Sequence, residues 1–334
     1  MSRLILLAFY AVAHAATLYV SVNGNDANLG TQSAPFRHVS KGASTARPGD
    51  TVIVMDGTYD NEGKISDGSG GMHSYAAPVV LASAGTPTAW ITIKAQNKGN
   101  AILDCGTTVT ALGCDKYIYL NPGVAYWSFQ DLVFTRGAYG GLGTDYSASH
   151  IRVTGCSFQY IGQWNDPTQI GESGIGFDAG ASDWYIANNV FHDIGRLQVS
   201  NLDHGIYAAG TNVVIIDNTF YAINRGWGIQ VSNGAVNWLI ANNSFAATMP
   251  TQGGLIMLWN TIKWINIVNN TLAWPGGGVG ISQYTATLSG CVIDGNTITG
   301  PTVVMANPAG CSGTNSISST LFGVRYNSKA VKLP

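Results

Sequence analysis

One asparagine recurs through the C-terminal half of this chain, and no other feature narrows the fold as far. It stands at Asn189, Asn218, Asn243, Asn270 and Asn296, in steps of 29, 25, 27 and 26 residues. Two places later an apolar residue always follows: Phe191, Phe220, Phe245, Leu272 and Ile298. The runs around it are β-rich, as in Trp184-Tyr-Ile-Ala-Asn-Asn-Val-Phe191 and Trp238-Leu-Ile-Ala-Asn-Asn-Ser-Phe245. An earlier copy, Ile151-Arg-Val-Thr-Gly-Cys-Ser-Phe158, carries Cys156 in the Asn slot.

A period in this range built from short β-rich units denotes a repeat architecture. The units are too short for propeller blades, which need about 40–45 residues, and they lack the 3.6-residue apolar period of helical solenoids. One turn of a single-stranded parallel β-helix fits. No turn buries its inner face alone, so neighbours stack and share one core. The Asn is expected at a turn, where it tolerates left-handed backbone and its side chain bonds main chain. Stacked copies would bond one another as a ladder.

Each coil carries a second strand, marked by Ile175, Ile206, Ile229, Ile256 and Ile281, usually beside Gly. The interval from ladder slot to this Ile is 19 residues after Cys156 and 17 after Asn189, then 11, 13 and 11. The extra length therefore lies in two consecutive coils. Insertions in a solenoid map to loops, often on the binding face.

The 334 residues suffice for one large solenoid, and the unbroken repeat favours a single domain. An apolar share of 46% argues against disorder, and a net charge of −2 argues against a broad basic surface for nucleic acid. Residues 1–15 read as a secretory signal: Arg3, the apolar run Leu4 to Val12, then Ala13-His14-Ala15 as the cleavage site. No later run is long and apolar enough to span a bilayer. The expected product is a secreted monomer covering 16–334, with 16–60 as N-terminal cap, regular coils over about 126–310 and 311–334 as C-terminal cap. Of the five Cys, Cys105 and Cys114 are expected to pair, as are Cys291 and Cys311, which leaves Cys156 buried in the ladder slot. No Cys/His grouping has zinc-site spacing.

At the N-terminus, Thr17-Leu-Tyr-Val-Ser-Val22 alternates like a strand. Phe36 to Ala46 reads as a short helix ended by Pro48-Gly49, placed to plug the open end of the core. Asn61 to Ala84 reads as a long surface excursion. The run Leu18-Tyr-Val-Ser-Val-Asn-Gly-Asn-Asp26, then Gly30-Thr31, Ala34-Pro-Phe36, Pro48-Gly-Asp-Thr-Val52, Gly57-Thr-Tyr59, Gly85-Thr-Pro87 and Ile91-Thr-Ile-Lys94, resembles the opening of secreted right-handed parallel β-helix proteins of the pectate-lyase-like superfamily. With the Asn repeats the resemblance covers nearly the whole chain. It implies the fold and a capping pattern. It leaves the chemistry open, because that superfamily holds lyases, hydrolases, epimerases and non-enzymatic surface proteins.

Charge is scarce, so its placement is informative. Nine charged residues fall between Asp166 and Arg225, namely Asp166, Glu172, Asp178, Asp183, Asp193, Arg196, Asp203, Asp217 and Arg225. Only Lys263 and Asp294 follow between Gly226 and Gly300. His192 and His204 share the charged window, which coincides with the lengthened loops. If the repeated Ile points inward, strand alternation turns Gly176, Tyr207, Gln230, Met257 and Ser282 outward, and two places on Asp178, Ala209, Ser232, Trp259 and Tyr284. With coils about 4.8 Å apart, Asp178, His204, Tyr207, Arg225 and Gln230 are expected in one patch, and Trp227, Trp259 and Tyr284 extend it. His192 joins the binding residues. Aromatic faces beside hydrogen-bonding groups suit a polysaccharide.

Several chemistries use such a patch. A lyase takes the proton beside a uronate carboxylate and needs a cation on that carboxylate with a base close by. Arg225 suits the first role, and His204 or Tyr207 the second, with Asp178 and Asp203 in support. The resemblance implies a Lys or Arg base, sometimes with calcium; this window has no Lys, and Asp178 and Asp203 are the calcium candidates. A glycosidase needs two carboxyls about 5–9.5 Å apart, for which Glu172, Asp178 and Asp203 are available. His192, His204 and Asp203 are also a transition-metal possibility. Lyase action on a uronate-containing polysaccharide is the leading expectation. Hydrolase, epimerase and non-catalytic carbohydrate binding are the alternatives.

Overall fold

The computed structural model describes residues 15–60, 65–66, 76–163, 171, 173–196, 202–224, 226–246, 254–273, 279–299, 311–313 and 316–318. Residues 1–14 of the expected signal segment, Glu172 and Arg225 lie outside the described residues, as does most of the expected C-terminal cap.

Strands stack in parallel along the described chain, one coil upon the next, as a parallel β-helix. Each regular coil has three strands rather than the two expected, because the long run around each ladder Asn is two strands joined by a corner. One coil shows the order. Ser173–Phe177 lies on the first face, Ser182–Ala187 on the second and Val190–Ile194 on the third; the chain then returns to the first face as His204–Ala208. Stacking also starts well before Tyr126. Thr17–Val20 pairs with Thr51–Val54, which pairs with Ile91–Ala95, which pairs with Ala125–Gln130. The helix Val39–Thr45 lies within the stretch expected to be helical and buries Val39, Gly42 and Ala43 at this end of the core. Without this cover the first coil would leave apolar side chains in water.

The ladder Asn occupies the corner between second and third faces. Asn218 Oδ1 accepts from both the backbone N–H and the side-chain Nδ2 of Asn189, at 2.9 and 3.0 Å. The pattern repeats from Asn218 to Asn243, Asn243 to Asn270 and Asn270 to Asn296. Each Nδ2 also donates to a carbonyl of the preceding coil, such as Val153 for Asn189 and Ile186 for Asn218. Cys156 fills the first slot, and its backbone N–H donates to Asn189. Burial pushes its thiol pKa up to about 12. The left-handed residue is the one before the ladder position, at Gly155, Asn188, Asp217, Asn242, Asn269 and Gly295. The expected left-handed geometry is thus displaced by one place, which frees the ladder side chain to point inward.

Inside, Phe134, Phe158, Phe191, Phe220 and Phe245 stack with centroids 4.6–4.9 Å apart. A glycine faces this stack from the first face: a Cβ at Gly205 would meet the Phe220 ring at 2.8 Å, and one at Gly228 the Phe245 ring at 2.7 Å. Leu255 takes the glycine position where the stack has given way to Leu272, so volume is conserved. Disulfides join Cys105 to Cys114 and Cys291 to Cys311, both as expected.

Candidate functional site

The inward position before each marker Ile, a glycine in every coil but that of Leu255, decides which side chains reach the outside of the first face. Gly205 points to the interior, and so does Ile206 next to it. Strict alternation is broken there, so His204 turns outward together with Tyr207. Register then builds three outward columns. Ser173, His204 and Trp227 stand in the first, with Gly140 before and Gly254 after. Gly143, Gly176, Tyr207, Gln230, Met257 and Ser282 form the second. Two places beyond come Asp145, Asp178, Ala209, Ser232, Trp259 and Tyr284.

These columns line a groove along the axis. One section, about 560 Å³, is bordered by Ser173, His204, Tyr207, Trp227, Gln230, Met257, Trp259 and Tyr284, with Gly171 and Leu202 at the feet of the lengthened loops. The adjoining section, about 200 Å³, is bordered by Lys116, Tyr139, Thr144, Asp145, Gly176, Asp178 and Tyr207. Tyr207, Ser173 and Gly171 belong to both. His204, Tyr207, Gln230, Trp227, Trp259, Tyr284 and Asp178 are therefore brought together as the sequence predicts.

Lys116 is the residue that sequence reasoning missed. Lys116-Tyr-Ile-Tyr119 has the form of His204-Gly-Ile-Tyr207, and Ile118 pairs with Leu142 in the same register. The lysine thus precedes Gly140 in the first column. Its Nζ lies 3.6 Å from Asp115 and 3.9 Å from Asp145. Asp178 stands at the rim nearby; partial shielding from water, then the Asp145 charge, raise its pKa, against a smaller opposing effect of Lys116. Tyr119 closes this end, with its hydroxyl 3.4 Å from Asp145.

His204 is 2% exposed, and its Nδ1 accepts the backbone N–H of Trp227 at 3.1 Å. Burial pushes its pKa down to about 3, so the ring is neutral near pH 7 with its proton on Nε2. An imidazole this weakly basic does not suit the base role expected of it. It stacks near the Tyr207 ring, with centroids 5.5 Å apart. Ser232 Oγ donates to the Tyr207 oxygen at 3.2 Å. The indole of Trp227 lies over Gly254, where a Cβ would be 1.8 Å from the ring.

Two expected site residues are elsewhere. Asp203 is fully buried and paired with Arg196, whose backbone N–H, Nε and Nη2 all donate to it at 2.7–3.1 Å. It faces inward beneath the first column, one place before His204, and ties the foot of a loop. His192 lies on the third face between Gln159 and Tyr221, stacked on Tyr221 at 4.9 Å and bonded to Asp193 at 2.6 Å. It does not share a face with His204. Glu172 and Arg225 lie outside the described residues. Asp178 and Asp203 do not converge, and the Asp203 carboxylate is already engaged by Arg196, so this pair does not fit a calcium ion. The possible transition-metal set of His192, His204 and Asp203 is likewise dispersed. Among the described residues no three His, Cys, Asp or Glu side chains group as a metal site.

Known proteins place the groove in context. A family model described as "Pel9A-like, right handed beta helix region" matches residues 18–191. Pectate lyase PEL9 of Emericella nidulans is 28% identical over an alignment of 192 residues, and the match covers 52% of this chain and 45% of that protein. The uncharacterized protein YwoF of Bacillus subtilis is 48% identical over 42 residues, 13% of this chain and 9% of that one. The chain thus spans less than half the length of these relatives. Among solved structures, pectate lyase Pel9A superposes with a TM-score of 0.67 at 17% identity, over 96% of this chain and 80% of the other. A glycoside hydrolase superposes with a TM-score of 0.55 at 8% identity, over 91% and 95%. At such identities these structures speak to the fold. With more than half of its length matched by the family model, the chain belongs to the Pel9A-like right-handed β-helix family.

Proposed function

We propose that this protein is an exported polysaccharide lyase that cleaves a uronate-containing chain by β-elimination. One observation carries the reading. Lys116, Tyr207 and Asp178 border a single cleft beside the bare backbone of Gly176. A sugar can come close to that backbone, because glycine places no side chain there. Pectate lyase relatives support a polysaccharide substrate. The two disulfides and the N-terminal pattern support export.

The chemistry follows from these groups. The Lys116 ammonium neutralises the uronate carboxylate and stabilises the charge that develops when the neighbouring carbon loses its proton. In its deprotonated form Tyr207, held by the Ser232 hydroxyl, takes that proton. The C–H electron pair becomes the new C=C bond, the C–O bond to the adjoining sugar breaks, and the proton on Tyr207 passes to the leaving oxygen. His204, neutral, offers its Nε2–H as a donor and supports the Tyr207 ring.

A second reading is hydrolysis by Asp145 and Asp178. They stand one coil apart, and shielding from water, then the Asp145 charge, raise the pKa of Asp178, which suits the acid of such a pair. The test uses purified full-length protein on a panel of uronate and neutral polysaccharides, with absorbance of unsaturated uronide and reducing ends followed together. Both rising on a uronate polymer, with loss in Lys116→Met and Tyr207→Phe, supports elimination. Reducing ends without absorbance, lost in Asp178→Asn, would transfer the function to the carboxyl pair.

A further inference from the structure

The groove changes character along its length. At the Lys116 end the third column holds Asp145 and Asp178; at the centre it holds Ala209 and Ser232; at the far end it holds Trp259 and Tyr284. The second column changes in step, from Gly176 to Tyr207, Gln230 and Met257. From Gly176 to Ser282 is four coils, about 19 Å at the usual strand spacing. The described residues bordering the larger section include no Asp, Glu, Lys or Arg, and His204 there is neutral near pH 7. Tyr284 is 61% exposed, so its ring is not held there by core packing. A carboxylate laid against Trp227, Met257, Trp259 and Tyr284 would lose water without gaining a partner among the described residues, which is costly. A sugar with an uncharged, apolar face would lose little and gain ring contact.

Building on the lyase reading, we propose that the substrate is a mixed polymer, with a free uronate in the Lys116 section and uncharged sugar units in the Trp259–Tyr284 section. Trp259 and Tyr284 then set specificity, and a fully ionised polyuronate is the poorer ligand. Uncharged units have two sources, methyl-esterified uronate or a neutral sugar alternating with uronate.

Affinity gel electrophoresis of the full chain separates these. Three gels carry fully de-esterified polygalacturonate, the same polymer about half methyl-esterified, and an alternating uronate–neutral-sugar polymer. Retardation about tenfold stronger on one or both mixed polymers than on the first is expected. The polymer that gives it identifies the ester or the neutral sugar as the source. Tyr284→Ala, which leaves the core intact, and Trp259→Ala bring the ratio towards one. Equal or stronger retardation on the de-esterified polymer, or none on any, overturns the proposal. Unsaturated product is read on the same three polymers. Preference for a mixed polymer without unsaturated product sinks the lyase reading alone. Unsaturated product with tightest binding to the de-esterified polymer sinks the specificity proposal alone.

Discussion

The Asn corner and the groove face are both columns of stacked residues, one coil apart, yet they are built on opposite rules. At the corner the residue is the same from coil to coil, and each side chain satisfies its neighbour: Asn189, Asn218, Asn243, Asn270 and Asn296 leave nothing for a ligand to bond. On the groove face the outward residues change from coil to coil once past the Gly143–Gly176 pair. The first column runs through Ser173, His204 and Trp227, which border the groove. Repetition stores stability where the chain turns. Variation on the next face but one supplies chemistry, and the corner makes it tolerable. The comparison predicts that corner changes cost stability and groove changes cost activity.

The largest effect is expected at the corner. In Asn218→Ala the backbone N–H and Nδ2 of Asn189 lose their acceptor, and the carbonyls of Ile186 and Ile216 lose a donor. All but the part-buried Ile216 carbonyl are shielded from water, so the loss is about 4 kcal/mol in a denaturant titration. A loss below about 1 kcal/mol would mean that the ladder is decoration. Tyr207→Phe is the mirror experiment. It removes one hydroxyl from a half-exposed ring, so the melting temperature should hardly move, while elimination should drop about a hundredfold or more. A variant that melts early but turns over normally would erase the distinction between the two faces.

His204 belongs partly to both regimes, a groove residue that is buried. Its pKa is held near 3 when folded against about 6.5 when unfolded. Between these values the unfolded chain binds the extra proton, so stability is complete above about pH 6.5 and falls as pH is lowered towards 3. The slope is about 1.4 kcal/mol per pH unit from this one group. In His204→Gln that portion of the acid slope should vanish from melts run between pH 6.5 and 4. An unchanged slope would place the acid sensitivity in other groups.

Much of the fold was legible because a solenoid writes its geometry into its period. The Asn spacing located the corner, and the marker Ile located the inward row. The outward rows that follow, Tyr207 to Ser282 and Asp178 to Tyr284, came from alternation alone. The errors have physical causes. Two strands around a corner read as one run, because the corner is a single left-handed residue such as Asn188 or Asp217. Asp203 looked like a site residue because charge in a lengthened loop suggests solvent, whereas Arg196, seven positions earlier, draws it inside. His192 falls one place past Phe191 on the third face, which the two-strand picture lacked. Lys116 was missed because its coil precedes the Asn repeat, although Lys116-Tyr-Ile-Tyr119 carries the same outward pattern as His204-Gly-Ile-Tyr207.

The smallest expected effect tests whether the groove face is tolerant because it varies. Gly143 and Gly176 are register partners in the bare stretch of the second column, yet their surroundings differ. A Cβ at Gly143 would lie 2.4 Å from the Gly176 carbonyl oxygen, which is main chain and cannot move aside. At Gly176 the nearest atom is the Ser173 Oγ, at 2.9 Å, the end of a side chain that can rotate; the next is 3.8 Å away. Gly176→Ala should therefore fold with stability within about 1 kcal/mol of the parent, and Gly143→Ala should be the less stable variant. The new methyl nonetheless stands in the cleft between Lys116 and Tyr207, where the sugar must approach the backbone. A raised KM with little change in the melt is the expected signature of Gly176→Ala. Unaltered kinetics in that variant would show that the substrate does not rest on this part of the floor, and would move the reacting sugar towards the aromatic section.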